Sequence, residues 1–138
     1  MPSHLKEKEE KLQHVLECLI EESSEGIPII VEGKNDVESL RRLGVEGEIR
    51  SAKTGGKSQL DLVCRIEESG VKEVIMLLDF DKRGKEWTES LRHSLEKAKI
   101  KANLTIWNAL LSLAGKEVKD IEGLAAYMET LRRKVGKA

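Results

Sequence analysis

Two short apolar runs, each followed at once by acidic residues, dominate the pattern of this 138-residue chain. They occupy residues 27–31 and 74–78. Apolar runs of this length, without alternating polar positions, are typical of strands that are buried on both faces, as in a parallel sheet. Most of the other apolar residues recur at helical spacing, which predicts amphipathic helices on either side of these strands.

The full pattern predicts strands that alternate with helices along the chain. The predicted helices are 3–24, 36–43, 60–70, 84–98, 108–114 and 119–134, and the predicted strands are 27–32, 48–51, 73–79 and 102–106. Such alternation indicates an α/β fold in which a parallel sheet of about four strands is sandwiched between helices. We expect a single domain over residues 1–138, with a core at about 27–107 and helical extensions at 3–24 and 119–134.

Composition narrows the classes of function. The net charge is -1, so the chain has no overall basic signature of nucleic-acid binding, although a local basic patch stays open. Aromatic residues make up only 3%, which argues against a surface that stacks bases. No apolar run approaches the length of a membrane span and the N-terminus lacks the apolar core of a signal peptide. We therefore expect a cytoplasmic protein with no membrane partner.

The first acidic segment reads Glu32-Gly33-Lys34-Asn35-Asp36 and follows the first apolar run. Gly33 allows the backbone to approach a ligand closely. Asn35 or Asp36 fits the cap of the next helix, which is a purely structural interpretation. That interpretation leaves Glu32 unexplained, because this acid ends a buried strand directly.

The second acidic segment reads Asp79-Phe80-Asp81-Lys82-Arg83-Gly84. Alternate residues of an extended chain point the same way, so both aspartates are expected on one side. Ligands of open α/β sheets bind beyond the carboxyl ends of the strands, where Glu32, Asp79 and Asp81 all fall. Carboxylates without His or Cys suit Mg²⁺ or Mn²⁺. The structural alternative is a helix cap at Asp81, with Gly84 as a hinge.

Together the two segments resemble the Toprim domain. This domain is shared by topoisomerases, DnaG-type primases, OLD-family nucleases, recombination mediators of the RecR type and the bacterial 5S-rRNA maturation nuclease. Its signature is a glutamate after the first strand, here Glu32, and a D-x-D motif after a later strand, here Asp79 to Asp81. The chain looks most like the small stand-alone Toprim proteins of the 5S-rRNA maturation nuclease type.

The resemblance implies roles for the matching residues. Glu32 would act as general acid or base and also touch the metal, while Asp79 and Asp81 would bind Mg²⁺. Lys85 stands where topoisomerases commonly carry an acidic residue after the glycine of this motif. Tyr127, the sole tyrosine, lies in an amphipathic pattern that indicates packing, so a topoisomerase is not expected.

Basic residues in the loops after the strands are candidate phosphate ligands. Lys34, Lys57 and Arg83 lie beside or facing the predicted metal site, with Gly33, Asp36 and Gly84 in supporting positions. Residues 51–58 also form a degenerate P-loop, in which Ser51 replaces the first glycine. A nucleotide binder of that kind is a minor alternative, because the missing glycine is the one that allows the tight turn.

The sequence thus favours Mg²⁺-dependent phosphodiester chemistry on nucleic acid, with a small nuclease acting on RNA or DNA as the leading hypothesis. The alternative is a non-catalytic module that binds metal and nucleic acid within a repair or RNA-processing complex. Nucleic acid is the expected partner in both cases, and protein partners or a homodimer are further expectations.

Overall fold

The computed structural model of the protein describes residues 2–53 and 58–136. Its strands are β1 (Ile29–Val31), β2 (Ile49–Ser51), β3 (Glu73–Met76) and β4 (Lys101–Asn103). Its helices are α1 (Pro2–Ser24), α2 (Lys34–Arg42), α3 (Gln59–Glu68), α4 (Lys82–Lys97), α5 (Thr105–Ala114) and α6 (Leu124–Lys134). The predicted α/β fold with a parallel sheet is confirmed.

The four strands form one sheet in the order β2-β1-β3-β4, and every neighbouring pair is parallel. The two strands that precede the acidic segments, β1 and β3, are therefore adjacent at the centre. Their register pairs Ile29 with Ile75 and Ile30 with Met76. Because the strands are parallel, their carboxyl ends bring Glu32 and Asp79 to the same edge of the sheet.

The sheet is buried on both faces because its apolar strands alternate their side chains between two cores. Ile29, Val31 and Ile75 point into a core with helices α1, α2, α5 and α6. Ile30 and Met76 point into a second core with α3 and α4. The N- and C-terminal helices thus complete one face of the sheet instead of lying apart from it.

Of the element boundaries that differ from the predicted ones, three lie at a local side-chain hydrogen bond. β4 ends at Asn103, whose Oδ1 accepts from the Thr105 N–H at 2.9 Å, so the chain turns into α5 within the predicted strand. The last helix begins at Leu124, because Asp120 Oδ1 accepts from the Gly123 N–H at 2.7 Å and closes a turn. α4 begins at Lys82, because Asp81 caps it.

Over residues 2–53 and 58–136, none of the helices is both long and apolar enough to cross a membrane.

Candidate functional site

A polar pocket of about 460 Å³ opens at the carboxyl ends of β1 and β3. Its lining comes from the first acidic segment, from the segments that follow β2 and β3, and from the turn between α5 and α6. These residues are Glu32, Gly33, Lys34, Asn35, Asp36, Lys53, Asp79, Asp120 and Glu122. Five of the nine are acids, so the pocket has the charge of a cation site.

Glu32 is the most deeply placed group of the pocket, with only 2% of its surface exposed. Its Oε2 accepts a hydrogen bond from the Asp79 backbone N–H at 3.1 Å. Its Oε1 accepts from the Arg83 guanidinium at 3.1 Å and lies 3.8 Å from the Lys53 Nζ. A buried carboxylate is stable only when paired or hydrogen-bonded, and these partners meet that need.

Asp79 is half-buried beside Glu32. Burial, followed by the charges of Glu32, Asp36 and Asp120, raises the pKa of Asp79 to about 7. Its Oδ1 is fully buried and has no hydrogen-bond partner among the described residues. An unpaired buried oxygen costs free energy, which a bound cation would offset.

Asp81 has a different environment from Asp79. It is exposed, does not line the pocket, and its Oδ1 accepts from the Gly84 N–H at 2.7 Å as the N-cap of α4. The expected common direction of the two aspartates requires a straight extended chain from Asp79 to Asp81, but the chain bends at Phe80 and Asp81. The structure therefore brings Asp79 to Glu32 and gives Asp81 the capping position, while a metal-binding role for Asp81 stays a prediction.

The supporting residues hold the two loops in shape. A Cβ on Gly84 would lie 2.3 Å from the Asp79 carbonyl oxygen, so only glycine allows α4 to approach the end of β3 this closely. Asp36 is buried, and its Oδ2 accepts from the Gly33 N–H at 2.9 Å, which fixes the turn after Glu32. Burial is also the main reason why the pKa of Asp36 is raised.

The predicted phosphate ligands divide into three cases. Lys34 lines the pocket, as expected. Arg83 contacts Glu32 at the pocket instead of standing free. Lys57 lies outside the described residues, so its role as a phosphate ligand stays a prediction. Lys53, which the sequence did not single out, is a second lysine at the pocket wall.

Asp120 and Glu122 are the acidic pocket residues that sequence reasoning missed. They belong to the turn before α6, where no apolar strand precedes them and where the pattern predicted a continuous helix. The turn is tied to the second acidic segment, because Phe80 N–H donates to the Lys119 carbonyl at 2.7 Å. The start of α6 is tied to α2, the helix that follows the first segment, because the Ala125 N–H donates to the Ser39 Oγ at 3.1 Å.

The residues present suit a hard divalent cation in their chemistry. The potential metal ligands are oxygen atoms only. Among them, the Asp79 Oδ1 has no hydrogen-bond partner among the described residues and lies next to Glu32. Over the described part of the chain, no three acids, histidines or cysteines stand close enough together to surround one ion as they are. Glu32 and Asp79, which a hydrogen bond already joins, are the two residues that would hold an ion here.

The P-loop alternative has little structural support. β2, the strand that would lead into the loop, is a three-residue strand at the edge of the sheet. Ser58 is the N-cap of α3, with its hydroxyl accepting from the Asp61 N–H. Residues 54–57, the centre of that loop, lie outside the described residues.

Comparison with known proteins agrees with this geometry. A Toprim domain family model matches residues 26–106, which include β1 to β4 and both acidic segments. A UPF0292 protein of Methanosarcina barkeri is 39% identical over 92% of this chain and 87% of its own. A UPF0292 protein of Methanocaldococcus jannaschii is 42% identical over 86% of this chain and 91% of its own.

A solved structure shares the fold. A putative protein from Aquifex aeolicus superposes with a TM-score of 0.65 at 25% identity, covering 79% of this chain and 94% of its own. Toprim domains generally bind divalent metals and have metal-dependent functions related to nucleic acid. The family match, the relatives and the pairing of Glu32 with Asp79 agree with one another, and the chain belongs to the Toprim domain family.

Proposed function

We propose that this protein is a small nuclease that uses Mg²⁺ or Mn²⁺ to hydrolyse phosphodiester bonds of RNA or DNA. The observation that carries the proposal is the buried Glu32 at the end of β1, hydrogen-bonded to the backbone of Asp79 at the end of the adjacent β3. This pair lies in a pocket that is open to solvent and has lysines in its wall.

Glu32 is suited to moving a proton. Its oxygens lie at the pocket surface within a rigid frame, because β1 is fully buried and the Asp79 N–H fixes the carboxylate plane. A general acid or base works best when it is held within hydrogen-bond reach of the reacting oxygen. A divalent ion held by Glu32 and Asp79 would supply positive charge at the scissile phosphate and a more acidic water.

The basic residues are suited to binding the substrate backbone. Lys34 and Lys53 line the pocket, and the side chain of Arg83 is 61% exposed although its tip reaches Glu32. If Glu32 held a divalent ion, the Arg83 guanidinium would be available to donate its hydrogen bonds to a phosphate. Lys34, Lys53 and Arg83 thus form a local basic group in a chain that has no overall basic charge.

The test is cleavage of labelled RNA and DNA with Mg²⁺ or Mn²⁺ by wild type and by Glu32→Gln. Glutamine keeps the size of glutamate and one acceptor oxygen but cannot exchange a proton, so cleavage should fall to background while substrate binding is retained. Glu68→Gln, an exposed position at the end of α3, is the matched control and should cleave like wild type. Equal activity in Glu32→Gln and wild type would point to a contaminating nuclease and contradict the assignment.

A non-catalytic metal- and nucleic-acid-binding module is the second candidate. Two observations favour it: both Glu32 oxygens already have partners, and the net charge of -1 with few aromatics suits weak, assisted binding. Metal binding by wild type together with no cleavage of any RNA or DNA substrate would select this candidate. A repair or RNA-processing complex would then be the expected setting.

A further inference from the structure

The turn between α5 and α6 lies beyond the region that the Toprim family model matches, yet it forms one wall of the pocket. We propose that Asp120, from this turn, is an additional acidic determinant of the divalent-cation site. The inference rests on the proposed function, because it assigns a residue to the same site.

The turn is held in place at both sides of the pocket. The Phe80 N–H donates to the Lys119 carbonyl, which fixes the turn to the segment that carries Asp79. The Ala125 N–H donates to the buried Ser39 Oγ at 3.1 Å, which fixes the start of α6 to α2. Asp120 is thus carried by a turn that hydrogen bonds tie to the second acidic segment and to α2.

The carboxylate of Asp120 is oriented by its own turn. Its Oδ1 accepts from the Gly123 N–H at 2.7 Å, and the residue as a whole is half-buried in the pocket wall. The neighbouring Glu122 also lines the pocket but is exposed. Of the two acids in the turn, Asp120 is therefore the better fixed.

Asp120 lines the same pocket as Glu32 and Asp79, so its carboxylate adds negative charge where those two groups would hold an ion. The buried Asp79 Oδ1 has no hydrogen-bond partner among the described residues and is therefore available to an ion in this pocket. A carboxylate that repels its neighbours in the metal-free protein attracts a divalent cation by the same interaction.

The experiment measures Mn²⁺ affinity by isothermal titration calorimetry and metal-free melting temperature in EDTA, so that no nuclease activity is needed. Asp120→Asn removes the charge but keeps an oxygen for the Gly123 N–H. We expect its affinity for Mn²⁺ to fall about fivefold, with an unchanged or higher metal-free melting temperature. Glu122→Gln should weaken binding less, because that side chain is exposed.

The matched control is Asp61→Asn. Asp61 is also an aspartate that accepts a backbone hydrogen bond, from Ser58 N–H at 3.2 Å, but it does not line the pocket. Its loss of charge should leave Mn²⁺ affinity unchanged. If Asp120→Asn folds poorly, Asp120→Ser offers a smaller capping oxygen without charge and should show the same fivefold loss.

Two results would overturn the role of Asp120. One is Mn²⁺ affinity equal to that of wild type in folded Asp120→Asn or Asp120→Ser. The other is a lower metal-free melting temperature with unchanged affinity, which would make Asp120 a turn cap and nothing more. Failure of wild type itself to bind Mn²⁺ would overturn the metal site and this inference together, and is therefore distinguishable from both.

Discussion

Replacing Asp79 by asparagine should stabilise the metal-free protein and weaken its metal binding at the same time. In the folded protein the pKa of Asp79 is raised to about 7, whereas the ordinary value for an aspartate is 3.8. Burial is the main cause, followed by the negative charge of Glu32. Asparagine is neutral at every pH and so avoids the cost of a buried, repelled charge.

The sign follows from proton linkage. A carboxyl whose pKa is raised by folding favours the native state while it is protonated, so this contribution is present below about pH 4 and is lost as the pH rises through about 7. The full difference in pKa corresponds to about 4 kcal/mol at most. Because Asp79 is half-buried and partly screened by solvent, we expect a gain of about 2 kcal/mol for Asp79→Asn near neutral pH.

The assay is urea unfolding of wild type and Asp79→Asn in EDTA at a series of pH values from about 5 to about 8. The variant should be more stable, and its advantage should grow with pH and level off above about 7. Adding Mg²⁺ should stabilise wild type by mass action and the variant much less. A variant that is less stable than wild type at about pH 8, or an advantage that does not change with pH, would refute the electrostatic argument.

Two further predictions concern the frame and the basic residues of the pocket. Gly84→Ala should destabilise the protein by about 2 kcal/mol and weaken Mg²⁺ binding, because its Cβ would collide with the Asp79 carbonyl. Gly33→Ala should change stability and Mg²⁺ binding far less, since the atom nearest to its added Cβ is Asp36 Oδ2 at 4.0 Å. Thermal melts of the two variants with and without Mg²⁺ measure these effects. Equal effects in Gly84→Ala and Gly33→Ala would contradict the reasoning. Lys34→Ala should lower the salt slope of nucleic-acid binding by about one unit, measured by fluorescence anisotropy at several salt concentrations, and an unchanged slope would remove Lys34 from the interface.

The central part of the fold could be predicted from the sequence because buried strands require continuous apolar runs, which are visible in the sequence. β1 and the segment around β3 are continuous apolar runs, and such runs fit only strands covered on both faces. Because these two strands are parallel and also adjacent in the sheet, the residues that follow them meet. The pairing of Glu32 with Asp79 is the consequence of that arrangement.

The parts that could not be predicted depend on hydrogen bonds that leave no periodic trace. Asn103 ends β4 by binding the Thr105 N–H, although the residues beyond it are as apolar as those of a strand. Asp81 was expected to face the same side as Asp79, but the chain bends at Phe80 and Asp81, and the Asp81 carboxylate caps α4 through the Gly84 N–H. In both cases one short polar contact outweighs the expectation from the sequence pattern.

Asp120 illustrates a different limit. Its place in the pocket depends on tertiary contacts between the turn before α6 and two segments far away in the chain, such as the contact of Lys119 with Phe80. No local spacing around Asp120 encodes these contacts. Residues of this kind are found only when the packing of the terminal helices against the sheet is known.

The strand order also has a consequence for how the protein folds. β1 and β3 are neighbours in the sheet, but helix α2, strand β2 and helix α3 lie between them in the chain. Their pairing is a contact of long sequence separation, and such contacts form slowly because a large loop must close first. Until it forms, Glu32 and Asp79 are apart and the chain offers a cation only isolated carboxylates. Cation binding would accordingly lengthen the lifetime of the native state and accelerate folding only to the extent that β1 and β3 are already paired in the transition state.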